Sequence, residues 1–145
     1  DLGEQLCESI LQYESVWEKG GIEIDTDIAE DVAVQGDREL LALVWNNLLS
    51  NAFKFTPSGG TVSVSLTADK AFATVRVQDT GCGMRAEVRT HIFEKFSQGD
   101  PSHATQGNGL GLALVKRVVD ILKGEISVES TVGVGSTFTV KIRRT

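Results

Sequence analysis

The sequence predicts an α+β domain, a two-layer α/β sandwich with a mixed, mostly antiparallel sheet and three main helices on one face. Three observations carry this. Every strand-like segment alternates apolar and polar residues, so each has one buried and one solvated side, as in a sheet covered on a single face. Three other segments repeat apolar residues every three to four positions, the period of a helix with one buried stripe. The two kinds interleave as helix, two strands, helix, two strands, a long connection, helix, two strands. At 145 residues, 41% hydrophobic and 23% charged, the chain fits one domain with room for a core.

Leu2, Leu6, Ile10, Tyr13 and Trp17 form the stripe of the first helix, residues 2 to about 18, with Glu4, Gln5, Glu8 and Gln12 off it. Gly20-Gly21 ends it. Ile22 to Asp25 and Val32 to Gln35 alternate as two short strands joined by a polar turn around Asp27 to Asp31. Gly36-Asp37 closes the second and offers Asp37 as N-cap of the next helix, Arg38 to Phe55. That helix has Leu41, Val44, Leu48, Ala52 and Phe55 as its apolar stripe, and Pro57-Ser58-Gly59-Gly60 stops it.

Thr61 to Leu66, with Val62, Val64 and Leu66 inward, and Phe72 to Asp79 follow as strands, with a hairpin turn at Ala68-Asp69-Lys70. From Gly83 to Gly107 the periodicity dissolves into a polar connection longer than compact domains carry without purpose, which we read as a mobile lid. Phe93 and Phe96 are its only aromatics and would pin a short helix, Glu87 to Phe96, onto the body or anchor the lid, two compatible roles. The last helix starts at Gly107-Asn108-Gly109-Leu110-Gly111-Leu112, with Leu110, Leu114, Val118, Ile121 and Leu122 as its stripe. Strands Glu125 to Ser130 and Ser136 to Arg143 finish the chain around the turn Gly133-Val134-Gly135.

Composition narrows the partners. A net charge of −6 and a pI near 4.9 argue against a nucleic-acid backbone, which calls for a basic face. Any phosphate bound here must be held locally. Cys7 and Cys82 lie far apart and match no metal spacing, so reduced thiols in a cytoplasmic setting are expected. There is no signal peptide or apolar run of membrane-spanning length, so no direct membrane contact is expected, although the chain could be a piece cut from a membrane protein.

Three groups of residues are candidates for chemistry. Asp79 continues the buried parity of Val75 and Val77, and a carboxylate aimed inward is costly unless something donates hydrogen bonds to it. Asp79-Thr80-Gly81-Cys82-Gly83-Met84 therefore reads either as the floor of a nucleotide pocket or as a glycine turn closed by the Asp79 side chain. Asn47, Asn51 and Lys54 share a second face of their helix, although Asn is a mediocre helix former. That face is either solvated or a metal-phosphate face, an Asn carbonyl being able to ligate Mg²⁺ and Lys54 to neutralise phosphate. The glycines of 107–111 at a helix start allow close approach of backbone N–H groups to phosphate oxygens. They form no Gly-x-x-x-x-Gly-Lys-Ser/Thr motif and do not follow a strand in a dinucleotide-type unit.

Taken together, these stretches resemble the catalytic, ATP-binding domain of sensor histidine kinases, within the wider group of gyrase, heat-shock chaperone and mismatch-repair ATPases (the Bergerat ATP-binding fold). Asn47-Leu48-Leu49-Ser50-Asn51-Ala52-Phe53-Lys54-Phe55-Thr56-Pro57 resembles the N box and Asp79-Thr80-Gly81-Cys82-Gly83 the G1 box. Phe93-Glu94-Lys95-Phe96 is similar to the F box, Gly107-Asn108-Gly109-Leu110-Gly111-Leu112 to the G2 box, and Gly133-Val134-Gly135-Ser136-Thr137-Phe138 to the last hairpin. The five occur in family order and span essentially the whole chain. The resemblance implies that Asp79 accepts a hydrogen bond from the adenine amino group, that Asn51 ligates Mg²⁺, and that Asn47 and Lys54 lie near the phosphates as the catalytic pair. It also implies nucleotide contacts from Gly81, Gly83, Phe93, Lys95, Phe96, Gly107, Gly109, Leu110 and Gly111, with Ser136 supporting the adenine end beside Asp79.

Asn47 stands where the hydrolysing relatives keep a Glu that activates water, which favours phosphoryl transfer over hydrolysis. Two departures matter. Family lids often carry Arg or Lys between the F and G2 boxes, whereas Ser97 to Asn108 has only His103. The second is that no phosphoacceptor-bearing helical hairpin precedes residue 1, while His91 and His103 lie in the expected lid, outside any His-Glu/Asp helical context. The implied function is the Mg-ATP-binding, phosphate-donating half of a two-component histidine kinase. It would act on a histidine of a separate dimerisation domain, indirectly on a response regulator, and as a monomer when isolated. A nucleotide-sensing or partner-binding module without transfer and a serine-directed anti-sigma kinase are the alternatives.

Overall fold

The alternating segments come together in one five-stranded sheet of spatial order β1-β2-β3-β5-β4, built from β1 (Glu23–Ile28), β2 (Thr61–Ala68), β3 (Phe72–Asp79), β4 (Glu125–Thr131) and β5 (Gly135–Arg143). The structure, a computed structural model, describes residues 2–34, 36–81, 83 and 108–144, with side chains from residue 112 onward in the last stretch. β1 pairs with β2 in parallel and the other three pairings are antiparallel. Val62, Val64 and Leu66 of β2, Ala73, Val75 and Val77 of β3, and Phe138, Val140 and Ile142 of β5 are buried in one core with the helices. Their opposite-parity neighbours Arg76, Gln78 and Lys141 are exposed. The sheet is thus solvated on one face, and helices α1 (Leu2–Gln12), α2 (Glu14–Lys19), α3 (Arg38–Phe55) and α4 (Asn108–Ile121) accompany it.

α3 is the central helix. Asp37 caps it as expected, its Oδ1 accepting from the Glu39 N–H at 2.8 Å and the Leu40 N–H at 3.3 Å. Asp37→Ala is expected to cost about 1 kcal/mol. That lowers the thermal midpoint by about 2–4 °C per kcal/mol in a domain of this size. Asp37→Asn should keep most of it, and an unchanged midpoint in the Ala variant would show that the cap adds nothing.

Trp45 is fully buried, and its indole Nε1 donates to Gln5 Oε1 at 3.0 Å while Gln5 Nε2 donates to the Arg38 carbonyl at 2.7 Å. Gln5, expected off the apolar stripe, is therefore buried as the satisfied polar link between α1 and α3. The α3 stripe is also wider than expected: Trp45, Leu49 and Phe53 join it, whereas Phe55 is 38% exposed.

Three expectations are corrected. The first helix breaks at Tyr13, whose N–H bonds the Ile10 carbonyl, whose hydroxyl donates to the Asn46 carbonyl at 3.2 Å, and whose ring lies 5.6 Å from that of Phe53. These contacts to α3 override continuous helix, and α2 then ends where Gly21 (φ 66) lets the Ile22 N–H reach the Trp17 carbonyl.

Residues 32–34 of the expected second strand do not form one, and Gln35 lies outside the described residues. Asp31 takes φ 57, after which the Val32 carbonyl accepts from the Leu2 N–H and Val34 forms a lone bridge to Arg144. β1 finds its partner across α3, in β2, instead of in a hairpin. In α4 the buried residues are Leu112, Val115, Val118 and Val119, whereas Leu114 and Ile121 are 41% and 60% exposed. The buried stripe is therefore rotated from the expected one, since helix-period patterning alone leaves the phase open when Val and Leu occur on several faces.

Candidate nucleotide site

Asp79 closes β3 with its side chain on the buried face, 8% exposed, as the parity argument required. The Gly81 N–H donates to its Oδ1 at 2.8 Å, so the turn reading and the buried-carboxylate reading are both realised. Ser136 stands opposite Asp79 in the β3–β5 register, is equally buried, and its backbone N–H also supports the carboxylate. Burial pushes the Asp79 carboxyl above the usual carboxylate range, and the Gly81 and Ser136 N–H groups pull part of that back. A carboxylate kept in such a place at a cost is a candidate for ligand recognition.

Three backbone segments converge on it, and glycine is what allows the approach. A Cβ on Gly81 would stand 2.4 Å from the Phe55 carbonyl oxygen. One on Gly83 (φ 72) would meet the Thr131 carbonyl oxygen at 2.1 Å, and one on Gly135 (φ 143) the Asp79 carbonyl oxygen at 2.0 Å. No side chain fits at these distances or is at ease at these φ values. The end of α3, the loop after β3 and the β4–β5 turn thus form one cradle around Asp79. Thr80 ties the loop to β2, its N–H donating to the Thr61 carbonyl and its Oγ1 accepting from the Thr61 N–H at 2.9 Å.

The contact between Phe55 and Gly81 brings the last turns of α3, with Asn51 and Lys54, next to this cradle. Asn51 is 7% exposed, so for it the solvated-face alternative fails. Asn47 is partly exposed and its Nδ2 donates to the Leu43 carbonyl at 2.7 Å, which commits one of its two amide N–H groups to the helix's own backbone. Lys54 is exposed near the helix C-terminus. Gly109, Leu110 and Gly111 lie in the first turn of α4. Phe93, Lys95, Phe96 and Gly107, like the lid, Cys82, His91 and His103, lie outside the described residues.

One polar contact of the cradle escaped the sequence reading. Ser130 on β4 places its Oγ 2.9 Å from Ser136 Oγ. Its signal was the one that singled out Asp79: with Ile126 and Val128 it shares the parity packed toward the core, a polar group on the buried side.

Fold and site define a two-layer α/β domain with a buried carboxylate at the end of a central strand and a buried Asn on the helix beside it. Residues 36–145 match the family described as histidine kinase-, DNA gyrase B- and HSP90-like ATPase, and the chain belongs to that family. It is 38% identical over 144 residues to the sensor-like histidine kinase SenX3 of Mycobacterium tuberculosis, a match spanning 98% of this chain and 35% of SenX3. It is 46% identical over 110 residues to the circadian input-output histidine kinase CikA of Synechococcus elongatus, covering 74% of this chain and 15% of CikA.

Among solved structures, the catalytic domain of histidine kinase ThkA superposes with a TM-score of 0.88 at 27% identity, covering 99% of this chain and 93% of that one. Full-length ShkA in complex with AMPPNP gives 0.86 at 29% identity, covering 100% of this chain and 30% of that one. The chain thus spans about a third of the length of the first curated relatives it matches. Among the described residues, no helix is long and apolar enough to cross a membrane.

Proposed function

We propose that residues 1–145 are the single catalytic ATP-binding domain of a longer sensor histidine kinase, working on the cytoplasmic side. In this reading it binds Mg-ATP and donates the γ-phosphate to a histidine on the parent's dimerisation domain, from which a response regulator is served. The observation that carries this is the buried Asp79 carboxylate, held by the Gly81 N–H where three backbone segments approach so closely that Gly81, Gly83 and Gly135 leave no room for a Cβ. Its remaining acceptor sites suit the amino group of adenine.

Asn51 and Lys54 sit at the phosphate end of the same cradle. A Mg²⁺ held with nucleotide phosphates takes one or two protein oxygens and keeps several waters, which a single Asn carbonyl at 51 fits. When bound, the metal would neutralise charge on the phosphates. Lys54 adds a cation from the helix end, and Asn47 presents an amide, which cannot take a proton from water. The chain's own contribution is therefore positioning and charge stabilisation, as phosphoryl transfer requires.

The test is metal-dependent binding. Asn51→Ala is expected to weaken ATP binding strongly with Mg²⁺ and much less with EDTA, read by calorimetric titration of both proteins. Equal losses in the two conditions would give Asn51 a packing role only. A wild-type chain that binds no ATP would end the proposal.

A further inference from the structure

Ser130 lies directly across from Ser136 in the β4–β5 register, and its Oγ is 2.9 Å from Ser136 Oγ and 3.2 Å from the Gly135 carbonyl oxygen. Ser136 in turn is paired with Asp79 on β3, and Gly135 is pressed against the Asp79 carbonyl. We infer that Ser130 is a positioning residue for adenine recognition: it sets the proton direction of the Ser136 hydroxyl, so that Asp79 and Ser136 together read the edge of the base. This rests on the nucleotide reading above.

Each hydroxyl carries one proton and two lone pairs. When Ser130 donates to the Gly135 carbonyl, Ser136 donates to Ser130 and turns only lone pairs toward the pocket. When Ser130 donates to Ser136 instead, the Ser136 proton is released to point at a ligand. Ser130 thereby makes Ser136 a donor or an acceptor, and the Gly135 carbonyl is one alternative acceptor for the Ser130 proton.

Adenine shows a donor, its amino group, beside an acceptor, its ring nitrogen N1. A carboxylate at 79 and a hydroxyl donor at 136, acting directly or through one water, complement that pair. Guanine reverses both groups, setting its oxo group against the carboxylate. In Ser130→Ala the Ser136 hydroxyl loses the donor that holds its proton outward and turns freely, so binding must pay for orienting it.

Wild type, Ser130→Ala and Ser130→Thr are titrated calorimetrically with ADP and with 1-deaza-ADP, in which N1 is replaced by C–H. Ser130→Ala is expected to bind ADP about three- to tenfold more weakly, the scale of one neutral hydrogen bond. Ser130→Thr should restore most of that, and the Ala effect should vanish for 1-deaza-ADP. An equal loss for both nucleotides makes Ser130 a mere support of the hairpin and overturns the inference, as does an unchanged ADP affinity. Either leaves the nucleotide reading standing. Failure of the wild type to bind either nucleotide overturns that reading, and this inference with it.

Discussion

Asp79→Ala is expected to weaken ATP binding by roughly tenfold to over a hundredfold. A hydrogen bond to a charged acceptor contributes about 1.5–3 kcal/mol, and each 1.4 kcal/mol is about a factor of ten in affinity. Parallel titrations of wild type and variant with ATP and GTP read the effect, and the variant should also lose the preference between them. Equal ATP affinity in the two proteins would move the pocket away from Asp79.

The same substitution has a signature in stability. Burial raises the Asp79 pKa in the folded chain, so between the unfolded value and the raised folded one the native state holds more protons than the unfolded state. Stability contributed at this position therefore falls as pH rises through that window, and the penalty persists at neutral pH. The difference in urea midpoint between wild type and Asp79→Ala should shift in the variant's favour as pH rises through the window and then level off. Under the proposed function ATP binding would offset this penalty, the adenine amino group supplying a donor to a carboxylate the fold keeps partly desolvated. A pH-independent difference would show that the carboxyl titrates as it does in the unfolded chain.

What could be read in the sequence was whatever a short-range period determines. Alternation placed Val75, Val77 and Asp79 on one side of β3, and all three are buried. Asp37 before an apolar-periodic run was legible as a cap because the N–H groups it satisfies are its immediate neighbours. Features decided by distant partners were not legible. The break at Tyr13 depends on α3, residues 32–34 take their partners from α1 and the end of β5, and Gln5 is buried because Trp45 and Arg38 lie where its amide can reach both. In the site, Asp79 was legible from its own strand. The Ser130–Ser136 pair was not, because it depends on the β4–β5 register across the Gly133 turn.

The 145-residue chain incubated alone with labelled ATP is expected to stay unlabelled and to release phosphate very slowly. Transfer to histidine needs an imidazole in line with the γ-phosphate, and neither His91 nor His103 stands in the His-Glu/Asp helical context that prepares such a nucleophile. Hydrolysis needs a base, and Asn47 offers an amide whose nitrogen is bonded to the Leu43 carbonyl. Mixed with its parent's dimerisation domain, the chain should label that partner on histidine, giving a product labile in acid and stable in base. Transfer in trans should be slower than in the intact parent, because a short flexible tether supplies an effective concentration in the millimolar range. Stoichiometric labelling of His91 or His103, or brisk hydrolysis abolished by Asn47→Ala, would contradict this division of labour. Tight ATP binding with no transfer to the dimerisation domain would mark the chain as a nucleotide-sensing module instead.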